Sequence, residues 1–124
     1  MNQQSPAASI SPEEAMERIN ALLAHIWMVR TFLKHSDEFE EEMELLAIPR
    51  ALFDFARALE GSYRDRDVER YLKLARNKLK RLQAASAQLA EELPEISDHT
   101  NFKMAEASLR TCVGDIEKIL EGLV

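Results

Sequence analysis

The sequence predicts an all-α fold: a single-domain, up-down-up-down antiparallel four-helix bundle, its second helix kinked or broken near Pro49. Three observations predict it. Apolar residues recur at steps of three and four through four separate runs, the spacing of one helix face. Gly and Pro number only three and four, too few for the turns of an all-β sandwich or barrel. The chain has 124 residues, enough for one hydrophobic core and too few for two. Short polar connections between the runs make successive helices antiparallel neighbours.

Residues 1–10 are small and polar, carry Pro6 and lack periodicity, so they are expected to be a disordered tail ahead of a bundle spanning 11–124. Ser11 caps the first helix, Pro12 takes its first position, and Glu14 completes a capping box. Apolar residues then fall at 16, 19, 23, 26 and 33, with 22 and 29 alongside, which carries the helix to about Lys34. Ser36 or Asp37 caps the second helix. Its first turns hold Asp37, Glu38, Glu40, Glu41, Glu42 and Glu44, a sign of charge that suits a helix N-terminus. Pro49 has no N–H and crowds the carbonyl of Leu45, so a kink or break is expected at 46–49. Leu52, Phe55 and Leu59 restore the spacing, and Gly61 is expected to end the helix.

Asp65 or Asp67 caps the third helix. Its stripe runs Val68, Leu72, Ala75, Leu79, Leu82, Ser86, Leu89 and Leu93, in alternating steps of four and three, and Pro94 is expected to stop it. Asp98 or Thr100 caps the fourth helix. Phe102, Ala105, Leu109, Cys112, Ile116, Ile119 and Leu123 form its face, with Gly114 mid-helix at a cost of about 1 kcal/mol against Ala.

A bundle helix needs one apolar and one charged face. Between Ile19 and Leu33 the first helix carries a single formal charge, Arg30. Its side opposite the core holds Ala21, Ala24, Met28, Thr31 and Phe32. In the second helix Phe39, Met43, Leu46 and Phe53 lie off the main stripe. These residues predict a non-catalytic interaction or scaffold protein that self-associates through the outer apolar face of its first helix. Ala21 and Ala24 permit close approach, and Met28, Phe32, Phe39 and Phe53 supply contact area. A twofold homodimer is the simplest assembly, with another protein as the other candidate partner. Arg30 falls in the core phase, so its stem is expected to pack while its head reaches Asp54, Glu106 or Asp115.

Charge narrows the function classes. A net charge of −6 argues against a general nucleic-acid coat. Residues 64–81 hold eight of the 16 basic residues, but only Tyr63 and Tyr71 are near as stacking partners. No histidine has Glu three positions ahead, no His-x-x-x-His or calcium-type loop occurs, and the glycines stand singly, so no metal or cofactor is expected. The single Cys112 lies on the apolar stripe and reads as a small buried hydrophobe. No signal peptide, membrane span or lipidation signal is read, which makes the cytoplasm the expected compartment. An apolar ligand held between helices, with Trp27 as its reporter, is a further expectation.

One motif points to chemistry. Arg30-Thr31-Phe32-Leu33-Lys34-His35 resembles the Arg-x4-His motif of the HEPN ribonucleases. Those are small helical bundles that dimerise and pair two motifs across the interface. The resemblance covers six residues and implies a metal-independent ribonuclease or nucleotide-handling bundle. In it His35 would serve in acid–base cleavage and Arg30 would support the developing phosphate charge. Thr31 stands where that family often has Asn.

Overall fold

The computed structural model describes residues 10–123. These form α1 (Pro12–Lys34), α2 (Asp37–Glu40), α3 (Ala47–Arg64), α4 (Val68–Ile96) and α5 (Thr100–Glu121), with no strand among the described residues. Residues 1–9 of the expected tail lie outside the described residues, and Ile10 packs against the core.

The described residues form five helices where four were expected. The second predicted helix divides, and the break falls at 41–46 rather than at Pro49. A continuous helix there would stack Asp37 on Glu41, Glu38 on Glu42 and Glu40 on Glu44, three like-charge pairs at i,i+4. The chain turns instead. Successive three-residue bonds carry it round, from Leu45 N to Glu42 O at 3.0 Å and from Ile48 N to Leu45 O at 3.0 Å. Pro49 then sits third in α3, where a helix has no partner for the missing N–H, so it starts a helix and does not kink one.

Other boundaries move for local reasons. Gly61 lies inside α3, which continues to Arg64. The turn to α4 is made by Arg66 in the left-handed region, φ 57°, with its guanidinium on Glu17 at 2.6 Å. Asp67 caps α4 by accepting from the Arg70 N–H at 3.2 Å. Pro94 lies within α4 and does not stop it: only one backbone bond is lost there, and the Ser97 N–H still reaches Leu93 O at 3.1 Å. The cap of α5 is His99, whose Nδ1 accepts from the Asn101 N–H at 3.1 Å.

The four long helices pack as a closed ring of neighbours: α1 on α3, α3 on α4, α4 on α5, and α5 back on α1. Side-chain pairings give the directions. Glu17 meets Tyr63 while Trp27 meets Phe53, so α1 and α3 run antiparallel. Tyr63 meets Tyr71 while Asp54 meets Arg81, so α3 and α4 do too. Leu22 meets Cys112 while Phe32 meets Phe102, and α1 and α5 follow suit. The core between them is largely aliphatic, with Ile19, Ile26, Leu33, Leu52, Leu59, Leu82, Leu89 and Leu109 at most 1% exposed. Tyr71 is fully buried and donates its hydroxyl to Asn20 Oδ1 at 3.2 Å. Burial raises its phenol well above the ordinary range.

Short α2 is anchored by one ring. Ser36 accepts from the Phe39 N–H and starts the turn. Phe39 is fully buried and stacks on Phe102, centroids 6.3 Å apart and planes within 10°.

Candidate functional site

At 100° per residue, Ala21, Ala24 and Met28 fall on the side of α1 opposite Ile19, Ile26 and Leu33. All three are exposed, Met28 by 67%, and Trp27 beside them is 44% exposed. Three of the predicted contact residues therefore share one outward strip. The other three sit elsewhere. Phe53 is half-buried in the seam between α1 and α3. Phe32 is half-buried with its ring edge-on to Phe102 at 4.9 Å. Phe39 is wholly inside its own core. The break in the second predicted helix explains this, because α2 aims Phe39 inward at Phe102, away from the stripe that a continuous helix would have kept.

The α1/α3 seam is built on aromatics. Trp27 and Phe53 lie 5.9 Å apart, centroid to centroid. The Arg30 guanidinium lies over both, 4.6 Å from the Trp27 ring and 5.0 Å from the Phe53 ring. Arg30 thus meets none of the carboxylates expected for it. Asp54 bonds Arg81 of α4 at 3.1 Å, Glu106 bonds Arg110 at 3.0 Å, and Asp115 is exposed without an ion pair among the described residues. The electron-rich ring faces supply the attraction instead, worth about 0.5–2 kcal/mol depending on exposure.

Two depressions flank this cluster. One, of about 390 Å³, lies between Arg30 and Lys34 on α1 and Arg50 and Asp54 on α3, with Leu46, Pro49 and Phe53 as its apolar walls. The other, of about 310 Å³, runs along Trp27, Leu23 and Asn20 to Tyr63, with Arg57 and Glu60 at its rim. At its far end the Tyr63 hydroxyl donates to Glu17 at 2.8 Å, and Arg66 donates to the same carboxylate. Those two donors, with the Arg66 charge, hold the Glu17 carboxyl below its usual pKa.

Arg30 and His35 do not meet on one face. Five positions on a helix separate them by about 140° around the axis and about 7.5 Å along it. Arg30 is half-buried in the seam; His35 is exposed and closes α1, its backbone N–H bonding Thr31 O at 3.2 Å. Cys112 is buried with its thiol directed at Leu22 O, 3.2 Å away, and burial pushes its pKa up to about 12. The acids of the α2 turn gather with Glu92 and Glu95 around a third depression. Among the described residues no group of three His, Cys, Asp or Glu side chains is placed to hold a metal ion. None of the described helices is long and apolar enough to cross a membrane.

The seam was the part that sequence reasoning missed. Its signal was present: Trp27 and Arg30 stand at i,i+3 on α1, which places them side by side. Comparison of the chain with family models, with curated proteins and with solved structures finds no match.

Proposed function

We propose that this chain is a cytoplasmic, non-catalytic interaction module that self-associates as a twofold homodimer through the outer face of α1. In this reading the four long helices are the bundle frame and α2 is a cap on one end. One observation carries it: Ala21, Ala24 and Met28 stand exposed on a single strip of α1, with half-exposed Trp27 at its edge. No charged side chain interrupts that strip between Arg18 and Lys34, because Arg30 is turned into the seam with α3. An uncharged strip on a helix that already buries its other side favours a second apolar partner. The two alanines allow a second backbone to come close, and Met28 adapts to an opposing surface.

Size sharpens the proposal. A stable interface buries about 1,200–2,000 Å² in total. Two turns of α1 are too small to reach that alone. The contact must extend across Trp27 toward Ala56 and Arg57 of α3, with Trp27 in place of Phe32, Phe39 and Phe53 as the aromatic contributor.

The test is solution mass by light scattering on a sizing column, for wild type and Met28→Glu. The wild type is expected at twice 14.2 kDa. Met28→Glu is expected at the monomer mass with an unchanged helical spectrum. A wild type that stays monomeric at high micromolar concentration refutes the proposal.

A further inference from the structure

The depression between Arg30 and Arg50 combines charge and apolar surface in a way that self-association through the α1 strip does not use. Three cations border it: Arg30, Lys34 and Arg50. None of the three has an ion-pair partner among the described residues. The one acid in the lining, Asp54, is already bonded to Arg81 on the far side of α3. The depression is therefore locally positive on a chain whose net charge is −6. Elsewhere the arginines are mostly neutralised: Arg18 on Glu14, Arg57 on Glu60, Arg66 on Glu17, Arg110 on Glu106.

Arg30 is also held in place. Its guanidinium lies against Trp27 and Phe53, so the long side chain has little freedom left to lose on meeting an anion. Its N–H edge donates no side-chain hydrogen bond to any described residue, so the rings hold the group while its donors stay without a protein acceptor. That edge matches the paired oxygens of a carboxylate or phosphate. Leu46, Pro49 and Phe53 supply apolar walls beside it. The volume, about 390 Å³, falls in the range of small-molecule sites.

We propose that this depression binds a small organic oxyanion: a carboxylate or phosphate group carried on a flat apolar body. The oxyanion lies against the Arg30 edge between Lys34 and Arg50, and the body lies on Phe53 and Pro49. A bare inorganic ion would leave the walls uncovered, and an uncharged ring would leave three cations uncompensated. His35 takes no part, and the site does not depend on dimer formation.

Trp27 is the only tryptophan and touches the same guanidinium, so its fluorescence reports occupancy. Phenyl phosphate, benzoate, inorganic phosphate and benzyl alcohol are titrated in turn, with mass followed by light scattering in the same samples. Saturable quenching is expected with phenyl phosphate or benzoate, at unchanged mass. Whichever binds more tightly identifies the head group. Inorganic phosphate and benzyl alcohol are each expected to bind at least about tenfold more weakly. Lys34→Glu combined with Arg50→Glu changes two exposed side chains, so the helical spectrum should persist while oxyanion affinity drops more than about tenfold. Arg30→Lys, which keeps the charge and loses the flat fork, should also weaken binding. No saturation by either aryl oxyanion up to about 10 mM overturns the proposal. Equal affinity for benzyl alcohol does so too, as does undiminished binding by the folded double variant. A monomeric wild type that still binds phenyl phosphate removes the dimer proposal and leaves this one standing.

Discussion

Truncation of Phe39 to alanine separates a core residue from an interface residue. Its ring is fully buried, stacked on Phe102, and is the sole buried side chain of α2. Burying a phenylalanine removes about 150–250 Å² from water, which at about 25 cal/mol per Å² sets a ceiling of about 4–6 kcal/mol. Phe→Ala substitutions in cores cost about 3–5 kcal/mol, the upper end where a rigid cavity remains. Here α2 has four residues and no second anchor, so the segment can lift away and leave no sealed cavity. The expected loss is therefore near the lower end, about 3 kcal/mol. With an unfolding entropy of about 2.1 cal/mol/K per residue, that loss lowers the melting temperature by about 12 °C. Urea and thermal melts followed by circular dichroism give both numbers. Amide hydrogen exchange should show protection lost first at 37–46, where the anchor is gone. A destabilisation below about 1 kcal/mol, accompanied by a change in solution mass, would place Phe39 on a surface and refute the reasoning.

Four further outcomes follow from the same packing. Gly114→Ala should stabilise α5 by about 1 kcal/mol, read as a higher urea midpoint, because a Cβ there meets no atom within 4 Å. Thr31→Val should leave stability unchanged or raise it by up to about 1 kcal/mol, since the buried Thr31 Oγ1 has no partner among the described residues; a clear loss in the same melt would reveal one. Cys112, raised to about 12 first by burial and then by Asp115, should resist iodoacetamide at pH 8. Its thiolate fraction there is about a thousandth of that of an unshifted thiol, and labelling followed by mass spectrometry should recover fully in denaturant. Glu17 has a folded pKa below its usual 4.5, lowered first by the Tyr63 hydroxyl. Its contribution to stability is thus present above pH 4.5 and is lost as pH falls through the lowered folded value. Glu17→Gln should flatten that part of the acid limb, and superimposable stability profiles below pH 4.5 would contradict the pairing.

What could be read from the sequence followed from periodicity, and what could not followed from interactions between elements. The α1 limits were legible because Ser11, Pro12 and Glu14 are a local signal, and Ser11 does accept from the Glu14 N–H at 3.0 Å. The α4 stripe was legible because eight apolar or small residues keep one phase, though the fully buried Tyr71 lies beside it and depends on Asn20, 51 residues away. The break after α2 comes ahead of Pro49 because three like-charge i,i+4 pairs in the acidic run disfavour a continuous helix, whereas a proline in a first turn does not. Arg30 stands out in the sequence as a charge in the core phase, but it meets aromatic rings and no carboxylate. Its partners, Trp27 and Phe53, come from two helices whose relative rotation no spacing rule supplies. The exposed strip Ala21, Ala24 and Met28 was legible because it needs only the phase of one helix.

The closed ring of neighbours also bears on how the chain reaches its structure. Three of the four long-helix contacts join elements adjacent in sequence, so most of the fold can form from short-range encounters, a pattern that goes with rapid folding. The fourth, α5 on α1, closes over nearly the whole chain and pays the largest loop entropy. Because that pair is antiparallel, the end of α5 and the start of α1 lie at the same end of the ring. Joining them and opening the chain at 97–99 would preserve every neighbour pair while moving the long closure to α4 and α5. Connectivity would then be separable from architecture, and the slow step would be assignable to a chosen pair of helices.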